Sequence, residues 1–530
     1  MTAFFTVNGR KTFCYHRTVA GKKAAIALGV IALCLLAVLE FLLWRRRHAV
    51  YLDTALPAYF HYDFVTLRLR TRDAALNRRW RKSAPVVVVQ KHGRTIATIG
   101  GLTQVPLVYD SQEHDWTRTW PCPWNAPAGR YALKLLGNQD LKTRLHVKEF
   151  MILRRAPKPI PQGISVLTWE NARPLAGMTM IGPDGKKEDW RGMLDWTKAI
   201  GADAFWMMAS ETPGKKPGQV WLDSNFTLLP RIAAAAHARG LKFGLYVLYD
   251  LTFSKRRLAR YDYAMSVRNG RPVYTRAISL ADLERPGDVA ALLSHFSRIP
   301  DVDYLGIDYI RNALGGDELA ERFYADMWWI NPPQEWPRLS RANRMVYFAR
   351  KEGMHVDENF LDAWQWWRAR QAALIVRRIK RATSAPQPLW AFTLSWARGH
   401  QHGQDPIMMN DAGVDADAVM LYQADRPQFE AIIRQWHDYV RRRDAQILVG
   451  DVVDWDLHQR NPDGPLELYR RLSEAESRIY ADGPARGVFI HDLSRALWGD
   501  TGRWGTRGWM AQAARVVKRM KEISQGENLQ

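Results

Sequence analysis

Carboxylate, aromatic and basic side chains follow several short apolar segments in the later part of the chain. The segment 303–309, with the sequence DYLGIDY, closes with Asp308 and Tyr309 and is followed by Arg311. Similar groups close or follow the other segments: Trp169, Glu170, Glu211, Tyr249, Asp250, Trp396, Tyr422, Gln423, Asp425, Asp451, Asp454, His491 and Asp492. Two carboxyl groups held together can split an acetal, because one protonates the leaving oxygen while the other attacks or activates water. If the fold brings these side chains together, the pattern indicates acetal cleavage by two of the carboxyl groups. The remaining side chains would then contact the substrate.

The elements that must position these groups are eight strand-like segments separated by helical patterns. The segments lie at 163–169, 203–209, 242–249, 303–309, 388–395, 416–423, 446–452 and 486–491. Between them, stretches such as 228–239 and 429–443 carry apolar residues at helical spacing. Alternation of this kind implies a parallel sheet. Over residues 163–525 it predicts a closed (β/α)8 TIM barrel, which presents the C-terminal ends of its strands at one rim.

Other classes of site lack their motifs in this chain. There is no Gly-x-Gly-x-x-Gly and no phosphate-binding Gly-x-x-x-x-Gly-Lys loop, which argues against an open nucleotide-binding sheet. There is also no His-Glu-x-x-His motif and no Cys/His cluster, so zinc and thiol chemistry are not indicated. We predict no cofactor and no metal, while carboxylate ligation of a divalent ion stays open.

The fourth segment, Gly306-Ile-Asp-Tyr-Ile-Arg311, resembles a known family. It is similar to the L-D-Y-(I/V)-R fourth strand of bacterial glycoside-hydrolase-like barrels and, more distantly, of the alpha-galactosidase and alpha-glucosidase clan. The likeness extends over about residues 163–525 and is specific at this strand. It implies a catalytic nucleophile at Asp308 and an acid/base at Asp425. Other carboxylates that could donate the proton are Glu170, Glu211, Asp451 and Asp454.

The connection after the fourth segment, residues 312–381, is long and rich in tryptophan. Its indoles are Trp328, Trp329, Trp336, Trp364, Trp366 and Trp367. Indole faces pack against the apolar faces of sugar rings, so an insertion at the rim predicts one or two sugar contacts among them. The alternative is that they bury the long helix of the insertion on the barrel.

A small β domain precedes the barrel. Residues 50–155 alternate apolar and polar positions in short runs separated by turn-rich gaps, which predicts an all-β sandwich. The stretch 120–131, WPCPWNAPAGRY, resembles the late strands of bacterial immunoglobulin-like domains. The proline-rich residues 156–162 then predict a stiff linker, since proline blocks both helix and sheet pairing.

The N-terminal region carries one long apolar run. Residues 24–44, AAIALGVIALCLLAVLEFLLW, would span about 30 Å of hydrocarbon as a helix. A cleavable signal peptide is the alternative, but the run is long for one and no small-residue cleavage site follows it. We predict a cytoplasmic tail at 1–23 and a single-pass inner-membrane anchor at 24–44. The excess of basic residues before the anchor predicts that the later domains face the periplasm or the cell exterior.

The chain is strongly basic, with a formal net charge of +22 at pH 7. Long-range fields concentrate oppositely charged partners, so lipid headgroups, an acidic polysaccharide and nucleic acid are candidates. No nucleic-acid motif is present, so a membrane and a polysaccharide are predicted as partners and nucleic acid is not. A solvated basic surface without a partner is the alternative.

Three functions fit these observations. The first is a membrane-anchored glycoside hydrolase-like enzyme that cleaves an exopolysaccharide or cell-envelope glycan. The second is an inactive barrel that binds and guides a nascent polysaccharide beside a membrane polysaccharide synthase. The third is a polysaccharide lyase in which an aspartate or histidine base abstracts a proton beside a sugar carboxylate.

Overall fold

The computed structural model describes most of the chain. The described residues are 28–40, 49–137, 145–171, 173–210, 223–250, 257–311, 315–394, 403–422, 425–439, 445–454, 457–482 and 485–525. Residues 28–40 are helical and expose their large apolar side chains. Within the described ranges, no helix combines the length and the hydropathy that crossing a membrane requires. The predicted anchor at 24–44 extends beyond the described residues at both of its ends.

Eight parallel strands close into a barrel, as the sequence predicts. We number them β1 to β8: Ile164–Trp169, Ala204–Ser210, Lys242–Leu248, Tyr304–Asp308, Leu389–Leu394, Ala416–Met420, Ile447–Val452 and Ala485–His491. Each strand pairs with its neighbours in chain order, and β8 pairs with β1 to close the sheet. The C-terminal ends of all eight strands therefore meet at one mouth.

The barrel interior is filled by side chains that alternate along each strand. Trp206 of β2 and Trp390 of β5 stack across it with ring centroids 3.9 Å apart. Gly306 of β4 makes room for this pair, because a Cβ there would lie 2.3 Å from the Trp390 ring. Tyr246 of β3 packs edge-on against Trp390. The interior is thus a packed core that closes the barrel below the mouth.

Helices cover the outside of the barrel and form its long connections. Their bounds are Gly192–Ala199, Asp223–Phe226, Leu229–His237, Arg285–Phe296, Ala320–Asp326, Arg341–Met354, Glu358–Ala382, Pro406–Ala412, Arg426–Tyr439, Leu457–Arg460, Gly464–Asp482, Leu493–Trp498 and Gly505–Ser524. Two small hairpins interrupt them, Met180–Ile181 with Lys187–Glu188, and Tyr263–Arg268 with Arg271–Ile278. Short 3-10 turns occur at Ile99–Gly101, Asp317–Leu319, Trp336–Arg338 and Gly502–Trp504.

The preceding domain is a sandwich of two sheets around its own core. One sheet has the order Leu145–Val147, Val50–Thr54, Phe64–Thr71, Asp115–Pro121 and Val108–Asp110. The other has the order Ala58–Tyr59, Phe150–Ile152, Gly129–Leu135, Val86–Lys91 and Arg94–Thr95, with Val105–Pro106 also paired to Val86–Lys91. A helix at Ala74–Lys82, which the strand pattern does not predict, packs Leu76 and Trp80 into this core. The immunoglobulin-like assignment stays a prediction.

The tryptophans of the insertion lie in the core and at the contact between the two domains. Trp364, Trp366 and Trp367, on the helix Glu358–Ala382, are buried. Trp366 donates from Nε1 to the carbonyl of Cys122 in the sandwich at 2.8 Å. Trp329 donates to the sandwich carbonyl of Ile99 at 3.0 Å. Trp336 is buried as well, so these four indoles pack the insertion against its surroundings, as the alternative predicts, and a sugar contact among the six stays a prediction.

The linker between the domains is fastened to the lower end of the barrel. The Lys158 backbone N–H donates to Asp415 Oδ1 at 2.9 Å. The guanidinium of Arg155 reaches the same carboxylate oxygen at 2.8 Å. Asp415 is fully buried and also accepts from the N–H of Leu389 at the start of β5. One buried carboxylate thus ties the linker to the barrel.

Truncating Trp366 tests the domain contact. Trp366→Ala removes a fully buried indole and leaves the Cys122 carbonyl without its donor, so we expect the free energy of unfolding to fall by about 3–5 kcal/mol. Tyr274→Ala, at a side chain that is 58% exposed, should change it by less than about 0.5 kcal/mol. Urea unfolding followed by tryptophan fluorescence measures both. Equal small losses in the two variants would contradict this role of Trp366.

Candidate functional site

Strand alternation decides which rim residues face the barrel interior. In β1, Ile164 and Val166 belong to the interior cluster, so Thr168 and then Glu170 follow on the same face. In β4, Tyr304 is interior and Asp308 follows it by an even number of positions. By the same rule Tyr422 after β6 and His491 in β8 also face inward. The rim therefore gathers side chains from four separate strands over one interior.

Asp308 is buried at the end of β4 and is held by two donors. Its Oδ1 accepts the backbone N–H of Tyr309 at 2.6 Å and the Arg311 guanidinium at 3.4 Å. Burial raises the pKa of Asp308, and the charge of Arg311 opposes that rise. Tyr309 has a positive φ of 53°, and Arg311 lies 4.1 Å from the centre of its ring. This turn places the Tyr309 N–H and the Arg311 guanidinium within hydrogen-bond distance of the Asp308 carboxylate.

Glu170 is the second carboxylate of the mouth, and its surroundings differ. Burial raises its pKa to about 8, and the negative charge of Asp308 is the next largest cause. Asp492 raises the pKa further, while Arg495 and Arg311 lower it. Among the described residues, no hydrogen bond reaches the Glu170 carboxylate. Burial and the charge of Asp308 thus both favour the protonated form of Glu170, because a second ionised acid in this site would be costly.

The two carboxyl groups thus have unequal environments. Asp308 has an N–H donor and a guanidinium, which favour its charged form, whereas no comparable donor to Glu170 occurs in the part of the chain that the structure describes. When two acids interact in a buried site, the proton resides on the one whose charge is less well supported. The donors on Asp308 therefore favour the proton on Glu170 and the charge on Asp308. Pairs of acids whose pKa values are separated in this way supply an acid and a base in one site.

His491 lies beside Glu170 as a neutral ring. Burial lowers its pKa to about 3, with Arg495 as a further cause. Its Nδ1 lies 3.0 Å from the Thr168 hydroxyl, which itself donates to the carbonyl of Ile490 at 3.3 Å. When the hydroxyl donates to that carbonyl, it accepts from Nδ1–H, and Nε2 then lies as an acceptor 3.7 Å from Glu170 Oε2.

Two polar atoms of the mouth lack a partner among the described residues. They are the hydroxyl of Tyr422, whose ring stacks on His491 with centroids 5.3 Å apart, and Nε of Arg311. Buried polar atoms are normally hydrogen-bonded.

Asp492 supports the mouth from the start of the next helix. Its carboxylate caps the helix Leu493–Trp498, accepting from Ser494 Oγ at 2.6 Å and from the N–H of Arg495 at 2.9 Å. Burial raises the pKa of Asp492 to about 6. Arg495 also reaches Asp454 Oδ1 at 3.4 Å. Asp492 and Asp454 together fix Arg495, the cation that opposes the rise in the pKa of Glu170.

Three predicted site residues face away from the mouth. Trp169 and Tyr249 pack in the outer core, between the barrel and its helices. Asp451 forms a fully buried ion pair with Arg471 of the helix Gly464–Asp482 at 3.3 Å. These positions have the opposite parity along their strands, so they fasten the barrel to its helices.

Asp250 and Asp425 lie near the mouth, but their described contacts are mainly with backbone groups. Asp250 follows β3, where burial raises its pKa and Arg311 opposes the rise. Its backbone N–H donates to the carbonyl of Tyr309 at 3.1 Å, which joins the rims of β3 and β4. Asp425 accepts from the N–H of Gln428 at 3.2 Å, at the start of the helix Arg426–Tyr439. The described contacts of Asp425 are thus those of a helix-capping residue, and its catalytic role stays a prediction.

Three further predicted contacts lie outside the described residues: Glu211, Trp396 and Gln423. Within the described part of the chain, no group of three or more His, Cys, Asp or Glu residues is arranged to hold a metal ion.

The sequence reasoning missed three residues that shape the mouth. Thr168 orients His491, Arg495 opposes the charge of the acids, and Tyr246 of β3 donates its hydroxyl to the Trp169 carbonyl at 3.3 Å. Counting alternate positions inward from the apolar interior residues would have found Thr168 and Tyr246. Arg495 lies on a helix after the last strand and carries no comparable signal.

No protein-family model and no curated protein sequence matches this chain. Among solved structures, it is similar to the catalytic domain of a beta-amylase from Paenibacillus polymyxa, with 9% identity, a TM-score of 0.43, and coverage of 66% of this chain and 98% of that one. It is also similar to a family 5 xyloglucanase from Bacteroides ovatus, with 9% identity, a TM-score of 0.33, and coverage of 88% and 99%. A spore cortex-lytic enzyme from Bacillus cereus gives 10% identity, a TM-score of 0.35, and coverage of 72% and 78%.

The pKa of Glu170 predicts how stability depends on pH. A carboxyl whose pKa is higher in the folded than in the unfolded state stabilises the fold below its unfolded pKa, and this contribution is lost as the pH rises through the folded value. For Glu170 the window runs from 4.5 to about 8. We therefore expect the difference in melting temperature, Glu170→Gln minus wild type, to be more positive at pH 8 than at pH 5. Calorimetry across this window measures the difference, and parallel curves for the two proteins would contradict the assignment.

Proposed function

We propose that this protein is a glycoside hydrolase-like enzyme that cleaves a polysaccharide with Glu170 as general acid and Asp308 as the ionised partner. The observation that supports this most is the pair of carboxyl groups at the barrel mouth, of which Asp308 is held by two donors and Glu170 has its pKa raised by the charge of Asp308. Acetal cleavage needs one carboxyl that holds a proton and one that holds a charge. Glu170 and Asp308 meet these two requirements without a metal or cofactor.

The proposed steps follow from the groups on each acid. Glu170 donates its proton to the glycosidic oxygen as the bond to the anomeric carbon breaks. Asp308 either takes a proton from the water that attacks that carbon, or attacks the carbon itself. In the second case a water, which gives a proton to the now ionised Glu170, breaks the bond between Asp308 and the sugar and restores both acids. The Tyr309 N–H and Arg311 keep Asp308 charged until that step. As positive charge develops on the sugar ring, the Asp308 carboxylate stabilises it electrostatically.

This assignment differs from the family resemblance in its acid. The resemblance implies Asp425 as the acid/base, whereas the described contacts place Asp425 at a helix start, with a backbone N–H as its partner. Glu170 is coupled to Asp308 directly, since the charge of Asp308 raises its pKa. We therefore propose Glu170 as the proton donor and keep Asp308 in the role that the resemblance implies.

The proposed setting is a membrane surface outside the cytoplasm. Within residues 28–40 the helix exposes Leu28, Val30, Ile31, Leu33, Leu35, Leu36, Val38 and Leu39. Such a helix needs an apolar environment, and the run 24–44 is long enough in sequence to supply a membrane anchor. An exopolysaccharide or cell-envelope glycan would then be the substrate, with a membrane polysaccharide synthase as a neighbour in the same membrane.

Conservative substitution of each acid tests the chemistry. Asp308→Asn should reduce cleavage below detection, because the charged group is lost while the side-chain shape is kept. Glu170→Gln should lower kcat/KM by about 10²–10⁴-fold on a natural glycan and much less on an aryl glycoside, whose leaving group needs little protonation. Asp425→Asn is the matched control and should stay within about threefold of wild type. A severe loss in Asp425→Asn with an active Glu170→Gln would contradict the assignment.

The pH dependence of the rate gives an independent check. If Glu170 must carry a proton, kcat/KM should fall as the pH rises through about 8, the pKa of this group. The same limb should be absent in Glu170→Gln when it is assayed on the aryl glycoside. An alkaline limb that persists in this variant would assign the proton to another group.

A further inference from the structure

A basic hairpin stands on the rim of the barrel after β3. Its strands are Tyr263–Arg268 and Arg271–Ile278. Between residues 255 and 276 the sequence has seven lysines and arginines and one acid, Asp262. Three of these basic residues, Arg268, Arg271 and Arg276, lie within the hairpin strands, which contain no acid.

The arginines of this hairpin are exposed and not neutralised by the fold. Arg268, Arg271 and Arg276 are exposed and form no ion pair with another described residue. Arg268 and Arg271 lie directly opposite each other in the strand register. Like charges in such a pair destabilise a hairpin, since nothing in the fold offsets them. A negatively charged ligand would turn this repulsion into attraction.

An exposed aromatic ring accompanies the arginines. Tyr274 is 58% exposed and lies on the same face of its strand as Arg276. Arg257, from the segment that leads into the hairpin, lies 4.2 Å from the centre of the Tyr274 ring. An aromatic face beside guanidinium groups can contact a sugar ring and its carboxylate together.

The hairpin is a built part of the rim, fixed by buried acids on the connection that follows β4. Asp317 Oδ2 accepts the N–H of Val267 at 2.8 Å, and Glu318 Oε2 accepts the N–H of Met265 at 2.7 Å. Gly315 packs so closely that a Cβ there would lie 2.7 Å from the Met265 carbonyl oxygen. The arginines are therefore presented from a fixed backbone.

Backbone hydrogen bonds connect the hairpin to the acid pair. Ile278, the last residue of the hairpin, donates its N–H to the carbonyl of Asp250 at 2.8 Å. Asp250 in turn donates its N–H to the carbonyl of Tyr309 at 3.1 Å, next to Asp308. The hairpin thus belongs to the same rim as the proposed site of cleavage, with Arg268 and Arg271 beside its turn and with Tyr274 and Arg276 on its other face.

We propose that this hairpin binds anionic sugar units of the substrate, so that the enzyme acts on an acidic polysaccharide. Arg268, Arg271 and Arg276 bind the acidic groups, and Tyr274 packs against a sugar ring. The proposal rests on the proposed function, since it names the substrate class for that mouth. Arginine suits this role because its planar fork matches a carboxylate. The position beside the acid pair favours a glycan over a lipid surface or a nucleic acid.

The test compares two charge-matched triple variants of the full chain in nanodiscs, both carrying Asp308→Asn so that substrate is not consumed. One has Arg268→Gln, Arg271→Gln and Arg276→Gln. The control has Lys82→Gln, Arg94→Gln and Lys134→Gln, three exposed positions on the sandwich. The probes are polygalacturonate and neutral dextran, with biolayer interferometry as the readout.

We expect the hairpin variant to bind polygalacturonate at least tenfold more weakly than its parent and to lose most of the salt dependence of binding. The sandwich control should stay within twofold of its parent, and dextran should bind weakly to all three proteins. Tyr274→Ala should weaken polygalacturonate binding by about three- to tenfold and leave its salt dependence unchanged.

Three results would overturn the proposal. They are equal affinity for dextran and polygalacturonate, equal losses in the two triple variants, and tighter binding of anionic lipid vesicles or single-stranded DNA than of polygalacturonate. These results leave the proposed function standing if wild type cleaves a neutral glycan through Glu170 and Asp308. The opposite result is also possible: the wild-type chain binds polygalacturonate through the hairpin but cleaves no glycan. That result would contradict the proposed hydrolase activity and support the proposed binding site on the hairpin.

Discussion

The mouth of this barrel depends on one constraint, which is that its two carboxyl groups together hold one negative charge and one proton. Glu170 and Asp308 come from strands three places apart in the barrel order, yet the charge of one raises the pKa of the other. Burial makes a second charge costly, and the donors on Asp308 decide which acid keeps the first. Arg495, fixed by Asp492, prevents the pKa of Glu170 from rising further.

The rest of the fold keeps this pair buried and close. The stacked Trp206 and Trp390 fill the interior below it, and Gly306 leaves them the space that a side chain would occupy. The indoles of the insertion hold the sandwich against the barrel, so their aromatic surface stabilises the contact between the domains. The rim hairpin adds an exposed aromatic ring and exposed arginines to the same end of the barrel.

The sequence predicts the barrel well because its signal is repeated. Eight apolar runs separated by helical patterns fit one closed sheet, and the observed strands fall within two residues of the predicted ones, with the one exception that β6 ends three residues early. The site is predicted less completely, because position along a strand end does not by itself tell which way a side chain faces. Trp169 and Glu170 are adjacent in the chain, yet the first packs outside the barrel and the second enters the mouth. Partners that come from distant segments, such as Arg471 for Asp451, cannot be read from one strand.

The protonation state of Glu170 is the most direct measure of the division of charge between the two acids. Infrared difference spectroscopy, with the carbonyl band of the protonated acid assigned by its loss in Glu170→Gln, can follow this group through a pH titration. We predict a protonated Glu170 at pH 7 that titrates near pH 8, and a clearly lower value in Asp308→Asn, where the neighbouring charge is gone. A Glu170 that is ionised at pH 7, or whose titration does not change in Asp308→Asn, would contradict the account.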